Sequence, residues 1–111
     1  MDINQTTADG VTIIEPVGRI DLNSAAPLEQ RLVGLIRSGA QHLLVDFRQV
    51  QYISSAGFRA LLIARKLSDE TGGNMVLCGM LPEVRRVFAI GTFTDLFTIC
   101  DTAHEGLAKI K

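Results

Sequence analysis

The chain lacks any apolar run approaching the roughly 20 residues a membrane-crossing helix needs, so membrane insertion is not expected. It also lacks an excess of positive charge. Eleven Lys and Arg stand against twelve Asp and Glu, for a net charge of −1. A nucleic-acid-binding domain of this size is ordinarily basic, so direct nucleic-acid binding is not expected either. Cysteine is scarce: Cys78 and Cys100 form neither a CxxC motif nor a metal-ligand spacing, and no metal or cofactor is expected. The start MDINQTTADG has no basic n-region and no apolar h-region, so it does not read as a secretory signal. A cytoplasmic location follows as an expectation, and there both thiols should stay reduced as small core residues. A disulfide is open to them only if the two strands that carry them lie side by side. Catalytic signatures are missing too: there is no P-loop, no G-x-G-x-x-G and no G-x-S-x-G.

What is present is the composition of one globular domain spanning residues 1–111. Hydrophobic residues make up 47% and charged residues 21%, which is too apolar for a disordered chain. No internal repeat, linker or low-complexity stretch interrupts it.

Periodicity and punctuation predict the elements. Residues 2–8 are polar and could form a first edge strand, with Gly10 providing a short turn. Residues 11–17 are β-branched and bounded by Gly10 and Gly18, so they read as a strand. Pro16 cannot donate to a ladder and should sit at an open edge or a strand end. Residues 18–24 read as a loop. A helix is expected from about Ala25 to Ser38, with Pro27 near its first turn and Leu28, Leu32, Leu35 and Ile36 on one apolar face. Residues 42–47 are nearly continuously apolar, as in a central parallel strand covered on both sides. Residues 48–53 read as a loop, followed by a helix opening at Ser54-Ser55-Ala56-Gly57 and stopped near Gly72-Gly73. Strands over 74–79 and 96–100 follow. Between them Pro82 starts a short helix with Val84, Val87 and Phe88 inward, and a last helix places Ala103, Leu107 and Ile110 on one face. The expected class is α/β: a mixed, mostly parallel sheet of four to five strands with about four helices, in the order β-β-α-β-α-β-α-β-α.

In an open α/β sheet, function sits outside the carboxyl ends of the parallel strands. Two loops bring polar groups there: the one ending at Ser54-Ser55 and the one holding Asp21. Asp21 and Asp46 could both approach the serine loop. Ser55 has a plain reading as a helix cap and a functional one as a phosphate acceptor, because a helix start offers free N–H groups and a positive dipole end. The histidines, His42 in a strand and His104 in the last helix, are not placed to activate a serine, so a Ser-His-Asp hydrolase is not expected. From the residues alone, the chain is a small α/β domain presenting a serine at a helix start, with no catalytic set.

Four segments carry a more specific resemblance. Leu44–Leu62 (LVDFRQVQYISSAGFRALL) resembles the signature of the STAS domain family, the anti-sigma factor antagonists. Val17–Asp21 is similar to that family's G-x-I/L-D segment, Gly72–Gly79 to its G-G-x-L/M-x-L/V strand, and Leu81–Phe88 to its third helix. The resemblance implies a stand-alone antagonist in a partner-switching pathway. The unphosphorylated form would bind an anti-sigma factor that is also a serine protein kinase, phosphorylation would end binding, and a PP2C-type phosphatase would reset the switch. The family's D-S-S/T-G acceptor motif falls on Ser54, Ser55, Ala56 and Gly57. It makes Ser55 the acceptor, with Ser54 the secondary candidate standing where the family has its acid. Asp21, Ser54, Ala56, Gly57 and Phe58 are the implied partner-binding residues. Family breadth leaves an alternative, an interaction subunit of a transporter or signalling complex that is never phosphorylated.

Overall fold

A computed structural model describes residues 1–91 and 93–110, the Phe93 side chain excepted. Strand β1 (Asp2–Ala8) returns as β2 (Val11–Ile20) through a two-residue turn in which Asp9 and Gly10 both have positive φ, the arrangement that matches the twist of a hairpin. Helix α1 (Leu22–Arg37), strand β3 (His42–Asp46) and strand β4 (Val50–Ile53) follow. Then come α2 (Ser55–Glu70), β5 (Asn74–Cys78), α3 (Pro82–Ile90), a 3-10 turn (Phe93–Leu96), β6 (Thr98–Cys100) and α4 (Ala103–Lys109). The sheet order is β1-β2-β3-β5-β6, with β4 paired to the second half of β2. Among the described residues only β1 and β2 are antiparallel; the other pairings are parallel.

The two faces of the sheet sort the core by period two. Leu43 and Val45 of β3 and Met75 and Leu77 of β5 enter the larger cluster, with Leu28, Leu32 and Ile36 of α1, Phe58 and Leu61 of α2, and Val84 and Phe88 of α3. Leu44, Val76 and Cys78 point the other way, into a smaller cluster that Ala103, Leu107 and Ile110 cover. Burial on both faces is why the 42–47 and 74–79 segments read as unbroken apolar runs. The α/β class and the mixed, mostly parallel sheet stand as expected, and Cys78 and Cys100 do lie side by side.

Several boundaries differ from the expectation. Residues 50–53, read as loop, form β4, so the order is β-β-α-β-β-α-β-α-β-α. β2 runs on to Ile20 because Gly18, read as a strand stop, instead accommodates an irregularity at positive φ where the partner changes. Pro16 is not at an edge. It lies in the interior strand β2, within the stretch 15–17 between the residues that pair with β3 and those that pair with β4. α1 starts at Leu22 rather than Ala25, because Asp21 rather than a later residue caps it, and Pro27 falls inside the helix. The final strand begins at Thr98, since 93–96 wind into the 3-10 turn. Val87 is exposed, not inward; Val84 and Phe88, four apart, form the packed face of the short α3.

Candidate functional site

β2 and β4 end in register, Ile20 beside Ile53, and the Ser54 N–H donates to the Ile20 carbonyl at 2.8 Å. The next residue on each strand caps a helix, Asp21 for α1 and Ser54 for α2. The N-termini of α1 and α2 therefore emerge side by side from the carboxyl ends of two paired parallel strands. Gly57 makes this possible: a Cβ there would stand 2.7 Å from Ile20 Cγ2 and 2.7 Å from Ile53 Cγ1, so only glycine lets the first turn of α2 rest on the strand ends. Phe58, buried beside it, packs edge-on against Phe88 with ring centroids 4.5 Å apart and ties α2 to α3.

Asp21 caps α1. Its Oδ1 accepts from the backbone N–H of Asn23 at 3.0 Å and of Ser24 at 3.2 Å. In return the Asp21 N–H donates to Ser24 Oγ at 2.8 Å, and the Ser24 hydroxyl donates to the Arg19 carbonyl at 2.7 Å. The Ser24 backbone N–H is the main reason the Asp21 carboxyl is held below its ordinary range. Partial burial opposes this; the Asn23 N–H, the Ser24 hydroxyl and the Arg19 charge add to it.

Ser54, not Ser55, caps α2: its Oγ accepts from the Gly57 N–H at 3.3 Å. This corrects the plain reading of Ser55 as a cap. Ser55 is the first helical residue, exposed, and its hydroxyl has no hydrogen-bond partner among the described residues. Ala56 beside it is half-buried, and Gly57 and Phe58 are buried. The last two bear on any partner contact through the placement of Ser55.

Asp46, expected as a possible neighbour of the serine, is not one. Its side chain is 2% exposed, and both oxygens are taken by Arg48, from its backbone N–H at 3.1 Å and its Nε at 2.9 Å. Arg48 also reaches Glu15 at 3.3 Å. This cluster fastens the turn between β3 and β4. His42 opens β3 beside the start of β2, about 30 Å along the strands from the end of β4, and His104 lies on α4. No histidine approaches Ser55 among the described residues. Among the described residues, no group of three or more His, Cys, Asp or Glu is placed to hold a metal, and no helix is long and apolar enough to cross a membrane.

Two residues that sequence reasoning missed complete the rim. Leu22, the first residue of α1, is 79% exposed beside the Asp21 cap. Tyr52, 39% exposed on β4, is in register with Arg19, whose guanidinium lies 4.2 Å from its ring centroid. Leu22 was legible, since an apolar residue just after a cap has no core face to join. Tyr52 was hidden because its strand was read as a loop. Together the rim offers a free hydroxyl, two helix N-termini and apolar surface. Such a surface can receive an anion and contact a protein.

The STAS domain profile matches residues 2–106, so the chain belongs to the STAS domain family. BtrV of Bordetella bronchiseptica, whose assignment as an anti-sigma factor antagonist is itself provisional, is 31% identical over 111 residues, covering 100% of this chain and 96% of BtrV. Among solved structures, an antagonist-like protein of Thermotoga maritima superposes with a TM-score of 0.91 at 18% identity, covering 97% of this chain and 93% of that one. The Bacillus cell fate determinant SpoIIAA in its phosphorylated form superposes at 0.73 with 16% identity, over 99% of this chain and 100% of that one. At those identities the two structures establish the fold.

Proposed function

We propose that this chain is a non-enzymatic, cytoplasmic anti-sigma factor antagonist switched by phosphorylation of Ser55. The unphosphorylated rim binds an anti-sigma factor that is also a serine protein kinase, phosphate on Ser55 ends the contact, and a PP2C-type phosphatase restores it. The observation that carries this reading is the position of the Ser55 hydroxyl, exposed and unpartnered at the first residue of α2. Ser54 is the poorer acceptor because its oxygen is committed to the helix cap.

The electrostatics suit a switch. A phosphoryl group brings about −1.5 to −2 charges at pH 7 to a chain of net charge −1. The helix dipoles stabilise it in the free protein, so the phosphorylated chain stays folded. A partner seated over Leu22 and Tyr52 has to bury that charge, with the Asp21 carboxylate nearby. Turning 99:1 bound into 1:99 takes about 5.5 kcal/mol of differential binding, within reach of a doubly charged group desolvated at an interface.

The test is intact mass after incubation with ATP and lysate of the source cells, for wild type, Ser54→Ala and Ser55→Ala. One added phosphoryl group in the first two and none in Ser55→Ala is the expected result. Addition lost in Ser54→Ala and retained in Ser55→Ala moves the acceptor to Ser54. No addition in any of them, with the kinase shown to be active, overturns the switch and favours a constitutive interaction subunit.

A further inference from the structure

Cys78 and Cys100 are register partners on the neighbouring parallel strands β5 and β6. Register partners point to the same face, and both side chains enter the small cluster beneath α4 with Leu44, Val76 and Ile110. Both thiols are free and buried. Gly106 of α4 sits over Leu44 and Cys78: a Cβ added there would lie 3.7 Å from the Cys78 Cβ. Cα atoms paired across adjacent strands are about 4.8 Å apart, inside the roughly 4.4–6.8 Å range over which a disulfide closes. Closure also needs the Cβ atoms to approach to about 3.8 Å, so one strand has to yield. β6 can do so, being three residues long and paired, among the described residues, with β5 alone. A bond that holds an edge strand off its relaxed position is strained and readily reduced.

We propose that Cys78 and Cys100 form a reversible oxidation pair, shielded by α4 and closed to a cross-strand disulfide by hydrogen peroxide when α4 lifts. α4 has only seven residues, and so short a helix opens locally at low cost. Cys100, at the rim of the cluster, reacts first. Its thiolate attacks one peroxide oxygen, the O–O bond breaks, and a sulfenic acid and hydroxide result; the hydroxide takes up the thiol proton as water. The Cys78 thiol, pushed up to about 12 chiefly by burial and then by the Asp46 charge, becomes a competent nucleophile only once water enters beneath the lifted helix. Its sulfur displaces the sulfenic hydroxyl, forming the S–S bond and releasing a second water. In sum, two thiols are oxidised and one peroxide is reduced to two waters.

The experiment treats the full chain with hydrogen peroxide and follows intact mass and a non-reducing peptide map for wild type, Ile110→Ala and Cys78→Ser. The proposal expects loss of about 2 Da, a peptide joining residues 78 and 100, and full reversal by dithiothreitol. Ile110→Ala, which removes the anchor of α4 in the cluster, should cross-link several-fold faster, and Cys78→Ser should stop at oxidised Cys100. If Ile110→Ala does not fold by circular dichroism, Leu107→Ala serves in its place. Thiols that stay reduced in the loosened variant, oxygen gain without a cross-link, or a rate indifferent to α4 each overturn it.

Discussion

Replacing Gly57 by alanine sets two effects of known sign against each other. In an exposed helix the change stabilises by about 1 kcal/mol, because alanine loses less backbone entropy. Here the new methyl would stand 2.7 Å from carbon atoms of Ile20 and Ile53 and 3.3 Å from the Ile20 carbonyl oxygen. Both isoleucines are buried and β-branched, so neither can turn its Cγ aside without leaving its rotamer. Overpacking of this kind costs about 1–3 kcal/mol; with two stiff neighbours both at 2.7 Å it falls in the upper half of that range and outweighs the propensity gain. The expected net destabilisation is on the order of 1–2 kcal/mol, which lowers the melting temperature by about 4–15 °C for a domain of this size. Urea unfolding at unchanged m-value measures it. The relief route is displacement of the α2 start away from the strand ends, so phosphorylation at Ser55 should slow as well. A variant as stable as wild type or more so would refute the claim that α2 rests directly on the ends of β2 and β4.

Ser54→Ala removes the α2 cap and should cost about 1 kcal/mol in urea unfolding while leaving Ser55 a phosphate acceptor, whereas Ser54→Asp should keep both cap and stability. The Asp21 pKa is lowered on folding, so its contribution is present above the unfolded carboxylate value, near 3.8, and is lost as pH falls through the lower folded value. Asp21→Asn should therefore flatten the acid limb of the stability curve below about pH 4, read as urea midpoint against pH. Leu22→Asp should leave the melting temperature unchanged or slightly raised, since an acid in the first turn of a helix is favourable. The same variant should abolish partner binding in a pull-down with the cognate kinase; retained binding would take Leu22 out of the docking surface. Asp46→Ala should destabilise by about 1–3 kcal/mol in urea unfolding, because the Arg48 backbone N–H at the β3–β4 turn loses its acceptor.

The apolar runs at 42–47 and 74–79, the leucine spacing of α1 and the Gly72-Gly73 stop were enough to predict an α/β domain, because each reports a local period or a local backbone requirement. The same holds for the serine pair at the start of α2. What the chain's order of residues left open were features whose energy comes from residues far apart along it. β4 is four residues whose hydrogen bonds and buried ends exist only beside the second half of β2, so nothing local marks it as a strand. Pro16 looks like an edge residue until the sheet shows that β2 changes partner around it. The choice of cap on α2 turned on one position: the backbone reaches Ser54 already extended and hydrogen-bonded to Ile20, which leaves its oxygen over the Gly57 N–H and Ser55 in solvent. Asp46, a carboxylate like Asp21, is the exception: it is held by Arg48 only two residues on, and the sheet decided only that this turn lies away from the rim. Local chemistry determined which residues could serve. The pairing of β2 with β4, a contact between segments some thirty residues apart, decided which of them meet.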